Sequence, residues 1–141
     1  MTGRGASAWP TTRAVRMGNP KFNILLVEDE PVIRELVRSM LTEGDVTVEC
    51  ADTGTEGLKL ARSRDFHLIL MDIVLPQMDG ITVCRMLKSD PRTAAIPLYM
   101  LTAKNKKADM EMATRAGADG YINKPFRGAE LMDLVAKLRG L

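Results

Sequence analysis

Five residues with charged or hydroxyl side chains stand at the ends of short apolar runs. Glu28 and Asp29 follow Asn23-Ile24-Leu25-Leu26-Val27, Asp72 follows Leu68-Ile69-Leu70-Met71, Thr102 follows Pro97 to Leu101, and Lys124 follows Tyr121 and Ile122. Gathered at one edge, they would form a pocket of three carboxylates, a hydroxyl and an ammonium group. Two unit charges about 4 Å apart repel by about 4 kcal/mol at an effective dielectric near 20, so three carboxylates call for a cation. Mg²⁺ suits the set, as a hard ion that prefers oxygen, keeps several waters and takes one or two carboxylates. Asp29 and Asp72 are expected to bind it directly and Glu28 through water, with the backbone carbonyl of Val74 completing the protein's share. Lys124 adds a fixed positive charge beside Asp72. In that setting the Asp72 carboxylate is a nucleophile for phosphorus, giving an acyl phosphate. Phosphoryl transfer asks mainly for positioning and charge neutralisation, which this set supplies. Thr102 would donate its hydroxyl to a phosphoryl oxygen and draw the following loop inward. Each residue alone has an ordinary reading, as a helix cap, a turn hydroxyl or a solvated lysine. Their joint order at four strand ends carries the functional reading.

The elements that must position these groups follow from periodicity. Continuous apolar runs before Glu28 and Asp72 fit strands covered on both faces. Val46, Val48 and Cys50 alternate with Thr47 and Glu49, the pattern of an edge strand with one wetter face. Between the runs, Pro31 opens a helix in which Ile33, Leu36, Val37 and Met40 recur at helical spacing, with Gly44 as its stop. Thr53 and Glu56 form a capping box for a helix to about Arg64. Asp79 caps a third helix through Leu87, beyond a loop bracketed by Pro76 and Gly80. Residues 106–116 form a fourth helix closed by Gly117, and Leu131, Leu134, Val135 and Leu138 mark the last. Five β-α units in unbroken alternation predict an α/β fold, with a parallel sheet and helices on both faces. In such a sheet, ligands bind outside the carboxyl ends of the strands.

A chain of 141 residues fits one core. The formal net charge of +2 is unevenly spread. Arg4, Arg13, Arg16 and Lys21 lie in the first 21 residues, which hold no acidic residue, and removing them leaves −2 for residues 22–141. Residues 1–20 read as a flexible basic lead-in, with Met17 as an alternative start, and residues 21–141 as the folded domain. Its mild acidity argues against direct contact with nucleic acid. No apolar run is long enough to span a bilayer and no secretory signal is evident, so a cytoplasmic location without membrane contact is expected. Cys50 and Cys84 match no metal spacing and are expected to be buried, reduced thiols. His67, the only histidine, reads as a polar strand-entry residue rather than a phosphate carrier. The ten methionines read mostly as adaptable core filling.

The stretches ILLVEDEP, LILMDIVLPQMDG, IPLYMLTA and AGADGYINKPF resemble the receiver domain of two-component response regulators. The resemblance runs from about Lys21 to Leu138. It implies a flavodoxin-like, doubly wound (βα)5 fold, with strand order 2-1-3-4-5. It also implies an acidic pair at Glu28-Asp29, phosphoacceptor Asp72, switch hydroxyl Thr102, switch aromatic Tyr121, conserved-type lysine Lys124 and a cis Lys124–Pro125 bond. The implied function is a phosphorylatable signalling switch, without turnover of an external substrate. Its partners would be a histidine kinase or phosphotransfer protein and a downstream output protein or domain, with the receiver a monomer or weak dimer. Three features depart from the family pattern or stay open. Arg127-Gly128 stands where a capping Asp or Ser often begins the last helix. Lys104, Lys106, Lys107 and Arg115 make the fourth-helix region basic, read as a solvated face. Val74 and Lys104 occupy positions that tune hydrolysis in the family.

Three other readings compete. A haloacid-dehalogenase-type phosphatase usually has a second Asp two residues after its nucleophile, and Val74 stands there. A flavin module would meet phosphate repulsion from Glu28-Asp29-Glu30. A degenerate receiver used only for protein contacts would not need the full set of pocket residues.

Overall fold

In the computed structural model, which describes residues 21–42, 44–103 and 107–140, five strands alternate with five helices. The strands are β1 (Phe22–Val27), β2 (Val46–Ala51), β3 (Leu68–Asp72), β4 (Leu98–Ala103) and β5 (Gly120–Lys124). The helices are α1 (Pro31–Leu41), α2 (Gly54–Ser63), α3 (Gly80–Ser89), α4 (Lys107–Ala116) and α5 (Gly128–Arg139). The strands form one parallel sheet in the order β2-β1-β3-β4-β5, as expected. Residues 1–20, Lys104 and Lys106 lie outside the described residues, so the expectations for the lead-in and half of the basic face rest on sequence alone.

The sheet separates two apolar layers. Leu25, Val27, Ile69, Met71 and Met100 face α2, α3 and α4. Ile24, Leu26, Leu68, Leu70, Leu101 and Ile122 face α1 and α5. Both faces of β1 and β3 are covered, which is why their sequences run apolar without alternation. The edge strand β2 keeps its alternation, with Thr47, Val48, Glu49 and Cys50 only half-buried.

Local signals set the helix ends. Pro31 occupies the first turn of α1, where its missing N–H would have no partner in any case. The inward seam of α1 is Val37 and Leu41, while Leu36 turns out and is 41% exposed. Of the capping box expected at α2, the structure shows the arm in which the Glu56 N–H donates to Thr53 Oγ1 at 3.0 Å. Asp79 Oδ1 accepts from the Thr82 N–H at 2.9 Å, capping α3 as expected. At α5, Arg127 supplies no capping acceptor, but Glu130 Oε1 accepts from the Arg127 N–H at 3.3 Å. Gly117 follows α4 at φ +103°, a conformation that only glycine adopts at little cost because it has no Cβ.

One packing expectation needs correction. Cys84 is buried but Cys50 is only half-buried, because β2 lies at the sheet edge; both are free thiols. The methionines mostly fill the core as expected: Met71 and Met100 are fully buried and Met40, Met78 and Met86 pack against the core, while Met112 and Met132 are 45% and 49% exposed on α4 and α5.

Candidate phosphoacceptor site

Register explains why residues so distant in sequence meet. Val27 lies opposite Met71, so Glu28 and Asp72 leave β1 and β3 at the same level. Asp72 in turn lies opposite Leu101, and Ala103 opposite Lys124. Side chains alternate along a strand. Glu28, Asp72 and Lys124 therefore continue the rows of Leu26, Leu70 and Ile122, on the α1/α5 side. Thr102 continues the row of Met100, on the other side.

Carboxylate oxygens of Glu28, Asp29 and Asp72 lie within 4.8 Å of one another. At that separation each pair of charges repels by about 3.5 kcal/mol at an effective dielectric near 20. Lys124 offsets part of this: its Nζ lies 2.8 Å from Glu28 Oε1 and 3.1 Å from Asp72 Oδ2. The second oxygen of each carboxylate meets a backbone donor. Glu28 Oε2 accepts from the Glu30 N–H at 3.2 Å, and Asp72 Oδ1 from the Val74 N–H at 3.3 Å. Glu28 is wholly buried, Asp72 is 8% exposed and Asp29 is exposed. Burial pushes the Glu28 carboxyl above its ordinary pKa; the Lys124 hydrogen bond opposes the shift and the charge of Asp72 adds to it. For Lys124, burial works against the charge. The hydrogen bond to Glu28 and the charges of Asp72 and Glu28 outweigh it, and the ammonium is held above its ordinary pKa.

The donor set fits Mg²⁺. It is all oxygen, it carries excess negative charge, and its exposed member is Asp29. Both oxygens of Glu28 and both oxygens of Asp72 hold protein donors.

The remaining predicted residues are less engaged. Thr102 is 2% exposed, and its hydroxyl donates at long range, 3.4 Å, to the Ala103 carbonyl. Tyr121, opposite Met100 on β5, is 45% exposed. Val74 is 75% exposed at the head of the β3–α3 loop. The Lys124–Pro125 bond is cis, as the resemblance implied.

Sequence reasoning missed two supports of the site. The Arg34 guanidinium, one turn into α1, donates to the Glu28 carbonyl at 3.1 Å. Gly80 sits so close to the end of β3 that a Cβ would lie 2.1 Å from the Asp72 carbonyl oxygen, and its N–H donates to Ile73 O at 2.8 Å. The only sequence signal for Gly80 was its place at a loop boundary.

The family profile described as response regulator receiver domain matches residues 24–136. The chain belongs to the response regulator receiver domain family. The receiver is 39% identical over 118 residues to the DNA-binding dual master transcriptional regulator RpaA of Synechocystis sp., covering 84% of this chain and 48% of RpaA. It is 38% identical over 125 residues to the DNA-binding response regulator MtrA of Mycolicibacterium smegmatis, covering 87% of this chain and 53% of MtrA. The chain thus spans about half the length of the curated relatives it matches. Among solved structures, it resembles the receiver domain of sensor histidine kinase PA1611 of Pseudomonas aeruginosa, with 31% identity and a TM-score of 0.79 over 86% of this chain and 99% of that one. That structure holds a magnesium ion in its active-site cleft. Chemotaxis response regulator CheY4 of Vibrio cholerae is 26% identical with a TM-score of 0.77, over 84% of this chain and 98% of that one. The names of RpaA and MtrA sit poorly with the expectation of no nucleic-acid partner, since both are called DNA-binding. No helix among the described residues is long and apolar enough to cross a membrane.

Proposed function

We propose that this receiver stores a signal as a phosphoryl group on Asp72, taken from a histidine kinase, a phosphotransfer protein or a small acyl phosphate. The observation that carries the reading is the Asp72 carboxylate on the central strand, with Lys124 Nζ at 3.1 Å and the oxygens of Glu28 and Asp29 within 4.8 Å. A carboxylate oxygen of Asp72 attacks phosphorus, the new O–P bond forms, and the bond from phosphorus to the donor breaks with its electron pair leaving on the donor. Lys124 neutralises charge on the acceptor side. The Val74 N–H holds Asp72 Oδ1 in place. Asp29 and Asp72 would hold Mg²⁺ directly, with Glu28 behind them and the Val74 carbonyl as a further ligand. When bound, the ion supplies charge neutralisation for the phosphoryl oxygens.

The switch would run through Thr102 and Tyr121. The Thr102 hydroxyl, held only by a long contact, is free to turn toward a phosphoryl oxygen, and the half-exposed Tyr121 ring has room to follow. Turnover of an external substrate is not part of this role. The acidic balance of residues 22–141 favours protein partners for the receiver surface itself. An output on DNA, as in the names of RpaA and MtrA, would then belong to a linked segment or a partner protein. A cytoplasmic location and a monomer or weak dimer fit this role.

Acetyl phosphate with Mg²⁺ should label the wild-type protein, and Asp72→Asn should abolish the label. An unlabelled wild type with competent donors ends the switch reading, and a labelled Asp72→Asn ends the assignment of the acceptor.

A further inference from the structure

Helix α2 contributes no side chain to the pocket, yet its first residue presses on the loop that carries the pocket's geometry. Gly54 is buried at the start of α2. A Cβ built there would lie 1.8 Å from the Met78 carbonyl oxygen and 2.8 Å from the Met78 carbonyl carbon, both backbone atoms. The Gly54 N–H donates to Pro76 O at 3.4 Å. The glycine thus touches the middle of the β3–α3 loop with its Cα and reaches it with its N–H.

The loop is held at its other points by backbone hydrogen bonds and by Ile73, Leu75 and Met78, whose side chains pack in or against the core. The Ile73 N–H donates to Leu101 O at 3.3 Å, the Met78 N–H to Pro76 O at 2.8 Å, and the Gly80 N–H to Ile73 O at 2.8 Å. Gln77 takes a φ of +70°, unusual for a residue with a side chain. The loop has little freedom to absorb a push. Val74 lies within it, and its N–H orients Asp72 Oδ1 at 3.3 Å. A displacement at Met78 is therefore passed to the donor that sets the acceptor carboxylate.

From this geometry we infer that Gly54 is a positioning residue for phosphoryl transfer at Asp72: the absence of a side chain at the head of α2 lets the β3–α3 loop close against the helix and hold the Val74 N–H on the acceptor. The inference rests on the reading of Asp72 as phosphoacceptor. In Gly54→Ala the contact must open from 1.8 Å to beyond 3.0 Å, and neither partner can yield by rotating a side chain. Misplacement of reacting groups by about 1 Å costs up to about 100-fold in rate.

The test compares Gly54→Ala with Gly120→Ala, whose Cβ would meet the Tyr99 ring at 2.5 Å at the N-terminal end of the edge strand β5. Thermal unfolding fixes a temperature at which both variants are folded. There, the rate of labelling by acetyl phosphate is measured at saturating Mg²⁺, and amide shifts are recorded. Gly54→Ala should label about 10- to 100-fold more slowly, with the Val74 and Gly80 amides shifted. Gly120→Ala should label at nearly the wild-type rate despite its lower melting temperature. A folded Gly54→Ala with wild-type labelling and unmoved Val74 overturns the inference. If Gly54→Ala does not fold, wild type is titrated with beryllofluoride and Mg²⁺, and the Gly54 amide should shift together with Val74 and Gly80. A Gly54 amide that stays still while those two move also overturns it. Failure of the acceptor reading looks different, because wild type itself then takes no label.

Discussion

Lys124→Met should unfold the protein far more easily, and Glu28→Gln should repair most of the damage. Lys124 Nζ bridges Glu28 Oε1 at 2.8 Å and Asp72 Oδ2 at 3.1 Å. Its loss leaves the wholly buried Glu28 with only the Glu30 N–H at 3.2 Å, facing Asp72 within 4.8 Å. Removing one member of a buried, hydrogen-bonded ion pair costs about 3–5 kcal/mol, because a charge is left uncompensated. The residual repulsion, about 3.5 kcal/mol at 4.8 Å and an effective dielectric near 20, falls in the same range. At a urea m-value of about 1.5 kcal/mol/M, the midpoint should drop by about 2–3 M. Adding Glu28→Gln removes the buried charge but keeps an oxygen for the Glu30 N–H. The double variant should recover to within about 1 kcal/mol of Glu28→Gln alone, a coupling of about 2 kcal/mol or more. Urea unfolding of all four proteins in EDTA, followed by circular dichroism, measures the cycle. A double variant no more stable than Lys124→Met refutes the reasoning, since Glu28 would then not be the group that needs the lysine.

Three further outcomes are expected. Lys88 Nζ donates to Ala94 O at 3.0 Å, Ile96 O at 2.7 Å and Asp119 Oδ2 at 2.8 Å, tying α3 to both neighbouring loops, so Lys88→Met should lose about 2–4 kcal/mol in urea unfolding while still taking label at Asp72. Burial pushes the Cys84 thiol up to about 11, whereas Cys50 is half-buried on an edge strand; an aromatic disulfide reagent at pH 8 should therefore titrate one thiol quickly and the second only on unfolding, and two fast thiols would contradict this. His67 Nδ1 accepts from the Asn23 N–H at 3.0 Å, and burial lowers its pKa below 6.5, with Asp65 opposing and Arg139 adding to the shift. The unfolded chain then binds more protons below pH 6.5, so this contribution is complete above pH 6.5 and is lost as pH falls through the lowered folded value. Urea stability from pH 5 to 7.5 should fall more steeply toward acid in wild type than in His67→Gln.

Much of the fold was legible because its signals are local. Apolar runs without alternation in β1 and β3, the alternation of β2, Pro31 and Asp79 each report a constraint within a few residues. The site was legible for the same reason, since strand ends in a parallel sheet converge. Less legible was which side of the sheet each strand-end residue takes. A shift of one position sends Thr102 to the face opposite Lys124, and only register decides it. Gly54 and Gly80 were hidden for a different reason. Their role lies in what a side chain would strike across space, the Met78 and Asp72 carbonyls, and nothing nearby in sequence announces those neighbours. The half-burial of Cys50 and the outward turn of Leu36 likewise depend on where the elements end up rather than on residue type.

The strand order has a mechanical consequence. Asp72 sits on β3, which is bonded along both sides to β1 and β4, whereas Lys124 sits on β5, bonded on one side only. The Asp72 carboxylate thus stands on a strand bonded on both sides, and Lys124 on a rim strand that also carries Tyr121. Rim segments open at lower free energy than the centre. A force or a new charge at the pocket will therefore be spent first on moving the lysine and the tyrosine, while the carboxylate stays put. Amide hydrogen exchange should rank the strands in that order, with β3 slowest and β5 among the fastest. Asymmetric anchorage of this kind lets one end of a site remain a fixed point of reference while the other acts as the pointer.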